Sequence, residues 1–158
     1  PMVRVPMRLG DLAGLQTLML PDAWQRDAVH ALQAGHDVIV DAPTGAGKTH
    51  VFERYVEQGN FARRAVFTVP TRALANDKYT EWLARGWRVG ITTGDLSVQP
   101  HAPVVVATLE AAQGALLRSA AASLPGLLVI DEYQWLADLA RGNHYEGVLA
   151  TLPASVQV

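Results

Sequence analysis

The chain has 158 residues, 49% hydrophobic and 18% charged, enough to bury roughly two-thirds of its unfolded surface as one ordinary globular domain. It has no cysteine, which excludes disulfides, thiolate metal sites and cysteine nucleophiles and suits a reducing, cytoplasmic setting. No apolar run nears the ~20 residues of a membrane span, no secretory signal is visible, and a net charge of −2 gives no bulk attraction for nucleic acid.

Residues 1–19 read as a lead-in without a clear pattern, and 20–158 as one folding unit. From Asp22, the residues Ala23, Trp24, Ala28, Val29 and Leu32 recur at helical spacing up to Gly35. Residues 37–41 (DVIVD) form a short β-branched run that reads as a buried strand, followed by a glycine-rich loop and a helical stretch at 49–58. The alternation repeats: strand at 65–69, helix at 72–85 with Leu74, Tyr79 and Trp82 expected to face inward, strands at 89–92 and 104–107, helix at 109–117. An all-apolar strand at 127–130 runs into Asp131; helices at 134–139 and 145–152 and a short strand at 156–158 complete the chain. Strands alternating with helices predict an α/β fold around a mostly parallel sheet, whose short apolar strands are covered on both faces.

Residues 42–49 read Ala-Pro-Thr-Gly-Ala-Gly-Lys-Thr and lie between a predicted strand and a predicted helix. That is the context a phosphate-binding loop requires. Gly45 and Gly47 permit turns closed to other residues, so the N–H groups of Pro43-Thr44-Gly45-Ala46-Gly47 and beyond (proline excepted) can converge on phosphate oxygens. The helix that follows adds its positive dipole end. Lys48 is expected to reach the terminal phosphates and Thr49 to ligate Mg²⁺. The strict pattern GxxxxGK[ST] fails at Ala42, and the form that fits is AxxGxGKT. A plain strand–helix turn with a surface lysine would not need this combination of residue types, spacing and context.

Asp131 and Glu132 follow the apolar strand at 127–130, at the sheet edge where ligands of parallel α/β folds collect. By itself such a pair is an ordinary solvated strand end. Beside a phosphate loop, Asp131 is expected to hold Mg²⁺ and Glu132 to polarise the attacking water, which is most of what phosphoryl transfer asks of a protein.

With both motifs placed, the chain resembles superfamily 2 helicases, and within them the DExH group of Ski-like, exosome-associated RNA helicases. Residues 21–25 (PDAWQ) resemble the family's Q motif, and Gln25 matches its adenine-reading glutamine. Residues 69–79 (VPTRALANDKY) resemble motif Ia, with Pro70, Thr71 and Arg72 at positions that hold the nucleic-acid backbone. Thr93-Gly94-Asp95 resembles the TGD segment, and residues 107–110, with Thr108 and Glu110, fall where motif Ib lies. Residues 131–134 (DEYQ), then Asp138, Arg141, Gly142 and Glu146, resemble motif II and its downstream helix. Gln134 stands where the group has histidine, so altered coupling between nucleotide and nucleic acid is expected there.

The resemblance implies a three-layer RecA-like P-loop NTPase domain that uses ATP and Mg²⁺. It also implies single-stranded or duplex nucleic acid as partner, RNA favoured over DNA, and no membrane. The sequence stops before a motif III, so a second RecA-like domain in cis is expected to complete the site, and this piece alone to be nearly inactive.

Several readings stay open. Thr71 and Thr108 are each a helix N-cap, a phosphate contact, or both. Trp24, Trp82 and Trp135 sit at core-like positions, while Trp87 is undecided between core and base stacking. The five histidines show no metal-ligand spacing, and His50 reads as an ordinary helix residue. Alternatives are a DNA helicase or translocase, a nucleotide- or nucleic-acid-binding module without turnover, and a small-molecule kinase, which would leave residues 69–79 unexplained.

Overall fold

The computed structural model describes residues 22–59, 64–118, 123–134 and 142–158. The predicted helix at 134–139 lies outside them except for Gln134, as do the lead-in, Trp135, Asp138 and Arg141. Along the chain run α1 (Ala23–Gln33), α2 (Lys48–Glu57), β1 (Ala65–Val69), α3 (Arg72–Ala84), β2 (Val89–Thr92) and β3 (Ser97–Val98). They are followed by β4 (Val104–Thr108), α4 (Leu109–Arg118), β5 (Leu127–Ile130) and α5 (Gly142–Thr151).

The strands order as β3-β2-β4-β1-β5. β1, β2, β4 and β5 are mutually parallel, and β3 turns back antiparallel on β2. Strand residues alternate between faces, and each face carries its own core. Ala65, Phe67, Val69, Val104, Val106 and Leu127 pack with α1, α2 and α3 on one side. Val66, Val105, Ala107 and Leu128 pack with Leu109, Ala112, Tyr145 and Val148 of α4 and α5 on the other. The result is the expected three-layer α/β arrangement.

An aromatic knot holds the first face. Phe52 on α2 meets Phe67 on β1 at 5.0 Å between ring centroids, and Trp82 on α3 meets them at 5.4 Å and 5.2 Å. Trp87 stacks on Trp82 at 5.2 Å, so packing is what it does in this structure.

Some elements differ from expectation. Residues 37–41 form no strand: Val38 donates to the Val158 carbonyl at 2.8 Å, the Val158 N–H donates to the Asp37 carboxylate at 2.9 Å, and Ile39 is 85% exposed. Strand formation needs a continuous ladder, and the 156–158 segment beside them is itself joined to β5 by a single bridge, Leu127 with Gln157. Leu74 points outward at 42% exposure, because α3 turns Ala75 and Trp82 to the core instead. β3 has no apolar pattern to announce it; it exists because a tight turn at residues 93–96 brings the chain back along β2.

Candidate functional site

Register explains why distant motifs meet. Val69 pairs with Thr108, Thr68 with Ile130, and Thr92 with Ala107, so β1, β4, β5 and β2 all end at one edge. The residues that follow them, Pro70–Arg72, Leu109–Glu110, Asp131–Glu132 and Thr93–Asp95, therefore rim the same side of the sheet.

The loop at 42–47 rises to this side ahead of α2. Gly45 and Gly47 both have φ of +82°, the left-handed region that a side chain makes costly. At Gly47 there is also no room: a Cβ would lie 2.8 Å from Gln25 Nε2 and 3.1 Å from His50 Cδ2. The Ala46 N–H donates to the Pro43 carbonyl at 3.2 Å, closing the turn. Gly47 is the N-cap of α2 and brings no capping side chain, so the first N–H groups of the helix are available to an anion. Lys48 Nζ lies across the loop and donates to the carbonyls of Ala42 at 2.9 Å and Pro43 at 3.3 Å.

Gln25 is buried beside this loop. Its Nε2 donates to the Ala46 carbonyl at 3.3 Å and the Gly47 carbonyl at 3.2 Å, while its Oε1 accepts the Asp22 N–H at 3.1 Å. The side chain thus braces the loop against the start of α1.

Asp131 and Glu132 face Lys48 and Thr49 across a cleft of about 600 Å³, which is also lined by Val38, Ile39, Phe52, Val129, Gln134 and Leu152. Burial pushes the Asp131 carboxyl above its ordinary range and the neighbouring Glu132 charge adds to this; a hydrogen bond from the Glu132 N–H and the charges of Lys48 and Lys78 oppose it. The backbone here is bent: Asp131 N–H donates to the Thr68 carbonyl, and Glu132 sits at φ +57°, in the left-handed region that is costly for a residue with a side chain. The Gln134 amide donates to the Glu132 carboxylate.

The opposite part of the rim is polar. Thr71 caps α3, its Oγ1 accepting the Leu74 N–H at 3.2 Å, and remains exposed. Arg72 Nη1 donates to Asp95 at 3.1 Å, and a Cβ on Gly94 would come within 3.0 Å of Arg72 Nη2. Asp95 is in turn held by the Thr93 hydroxyl at 3.1 Å, so residues 93–95 form a tight cradle for the Arg72 guanidinium. Glu110 is exposed in the first turn of α4, whereas Thr108 is buried at 6% exposure. What sequence reasoning missed is Glu53. It gives no signal, being one charged residue in a helix rich in them, yet it is 3% exposed and bonded to His50, Trp82 and Arg85.

Among the described residues no helix is long and apolar enough to cross a membrane. The fold is shared with a solved hypothetical ATP-dependent RNA helicase from Sulfolobus tokodaii, at a TM-score of 0.68 and 20% identity over 90% of this chain and 45% of that one. Probable helicase HelY of Mycobacterium tuberculosis is 45% identical over 142 residues, covering 87% of this chain and 16% of the relative. The human exosome RNA helicase MTR4 is 34% identical over 137 residues, covering 85% of this chain and 13% of the relative. The chain therefore spans a small part of the relatives it matches. Residues 22–158 match the DEAD/DEAH box helicase family. With the phosphate loop, the Asp-Glu strand end and the Thr-Arg helix cap set on one sheet edge, the chain belongs to that family, as a superfamily 2 motor domain of the Ski-like DExH group.

Proposed function

We propose that this chain is the ATP-binding first motor domain of an ATP-dependent helicase that acts on RNA in the cytoplasm. The observation that carries the reading is the cleft itself, where Lys48 and Thr49 of the phosphate loop face Asp131 and Glu132. The N–H groups at the start of α2 and the Lys48 ammonium bind the phosphates. Gln25 reads the adenine: its two amide hydrogens are engaged by the loop, while Oε1 keeps a second lone pair for an exocyclic amino group.

The donor set suits Mg²⁺. Among the described residues no cluster of three or more His, Cys, Asp or Glu could cage a metal, and Mg²⁺ is usually held by one or two protein groups plus substrate phosphates. Thr49 and Asp131 are those groups here, and the ion would neutralise charge on the phosphates. Glu132, held by Gln134, orients the attacking water, and Gln134 takes the coupling position that histidine occupies in the group.

On the other half of the rim, Pro70, Thr71, Arg72, Gly94, Asp95, Thr108 and Glu110 form the nucleic-acid edge. Thr71 and Arg72 hold phosphates without reading sequence. Asp95 sets the direction of Arg72, and Thr108, being buried, acts through the strand end it fixes.

No arginine lines the cleft among the described residues. An arginine finger is worth about 10³–10⁵ in rate in related enzymes. We therefore expect the 158-residue chain to bind ATP yet turn it over near background, the arginines coming from a second RecA-like domain of a longer protein. The test has two arms. Fluorescent ATP titration of the chain should give saturable binding that Lys48→Ala abolishes. Strand displacement by the longer protein on matched RNA and DNA duplexes should favour RNA; a preference for DNA would move the assignment to a DNA translocase.

A further inference from the structure

Glu53 is a buried carboxylate that takes no part in the phosphate chemistry, and a buried charge is expensive to keep unless its partners are in place. Its partners are three. Trp82 Nε1 donates to Oε1 at 3.0 Å, Arg85 Nη1 approaches Oε2 at 3.0 Å, and His50 Nδ1 approaches Oε2 at 2.7 Å. Trp82 and Arg85 belong to α3, so the carboxylate is fixed to a second helix as well as its own.

His50 is the unexpected member. Half-exposed residues near a helix N-terminus are ordinarily free to change rotamer, but this ring is fastened at Nδ1. An ionised carboxylate only accepts, so Nδ1 carries the proton in that bond. The other side of the ring comes back on the loop, with Cδ2 3.1 Å from the point where a Cβ on Gly47 would sit. The same residue's backbone N–H donates to the Gly47 carbonyl at 3.0 Å. Gln25 and His50 thus both close on the face of Gly47 from which a side chain would project, and both donate to its carbonyl.

We infer that His50 is a positioning residue of the phosphate loop: anchored by Glu53 to α3, its imidazole seats against Gly47 and fixes the N–H groups that receive the nucleotide phosphates. This rests on the proposed ATP site, and it adds a residue outside the loop's motif. The force path runs from the core aromatic Trp82 through Glu53 and His50 to Gly47. A loop with two left-handed glycines has many conformations, and the imidazole selects one of them.

The experiment compares the wild-type chain with His50→Ala and His50→Asn, and with Lys48→Ala as the nucleotide-site control. Asn is the conservative variant because its amide nitrogen falls near the position of Nδ1 and can donate to Glu53. Three quantities are read: the dissociation constant for Mg²⁺-ATP, the melting temperature, and the ¹H–¹⁵N amide signal of Gly47 without nucleotide. His50→Ala should weaken ATP binding about tenfold, equivalent to about 1.4 kcal/mol, and broaden or split the Gly47 signal; its melting temperature should fall but stay well above the assay temperature, because Trp82 and Arg85 still hold Glu53. His50→Asn should restore most of the affinity and a single Gly47 signal. ATP binding by His50→Ala at wild-type strength overturns the inference, as does an Asn variant no better than Ala or an affinity loss that merely follows the melting temperature. If the wild-type chain binds no ATP, the nucleotide reading falls; the Gly47 signal then still decides whether His50 positions the loop.

Discussion

Upstream of the phosphate loop, residues 37–41 are tied to Val158 by the Val38 N–H and the Asp37 carboxylate and reach the core through Val38, while Ile39 is 85% exposed. Downstream, α2 buries Val51, Phe52, Glu53 and Tyr55 and is tied to α3 by a carboxylate with three donors. One flank is lightly bonded and the other densely bonded. The loop is held by the helix that follows it and by Gln25 of α1 more than by the segment directly before it.

This contrast can be broken at several points. Trp82→Ala removes the centre of the aromatic knot and should cost about 3–5 kcal/mol in denaturant unfolding; a loss below about 1 kcal/mol would mean the helix flank is no better packed than the other. Glu53→Gln keeps an acceptor for Trp82 but loses the charge facing Arg85 and His50, and about 1–3 kcal/mol is expected by the same measurement.

A pH series sharpens the second of these. Burial raises the Glu53 carboxyl, but the bonds from Trp82, His50 and Arg85 outweigh it and hold the group below its ordinary value. A lowered folded-state pKa contributes stability above the unfolded value of about 4.3 and loses it as pH falls through the folded value. The stability gap between wild type and Glu53→Gln should therefore be flat above about pH 5 and narrow on further acidification; a gap that widened in acid would show that Glu53 is protonated in the fold. The smallest effect belongs to the lightly bonded flank. Ile39→Thr should change stability by less than about 0.5 kcal/mol, and a loss above about 1 kcal/mol would show that Ile39 is packed after all.

Much of the fold was legible because apolar period and burial coincide. The run 127–130 is apolar on both faces and is covered on both, and the helical spacing of Val29 and Leu32 matches the buried stripe of α1. The phosphate loop was legible because its glycines answer a backbone need, visible as the two φ values of +82°. The failures share a cause, since each depends on a neighbour that local pattern does not encode. Residues 37–41 have strand composition without a ladder, and Leu74 yields its inward place to Ala75 because of how α3 lies on the sheet. Glu53 looks like any solvated helix glutamate until Trp82 and Arg85, 29 and 32 positions later, close over it. The Arg72–Asp95 pair is similar: both residues were picked out, but only the fold shows that one cradles the other.

The seam between residues 37–41 and β5 bears on how the chain behaves in concentrated solution. Leu128 N–H is taken by the Gln157 carbonyl, and the two-residue alternation of a strand turns the next N–H and C=O pair toward that side at Ile130. Backbone groups beside an apolar run are a template for strands from other molecules. Here the run Val38-Ile39-Val40 is bracketed by Asp37 and Asp41, both exposed, so in-register stacking of chains would line up carboxylates at both ends. Charges in such flanking places oppose fibre-like growth. Because exposed charges are screened beyond about 8 Å at physiological ionic strength, that repulsion weakens as salt rises.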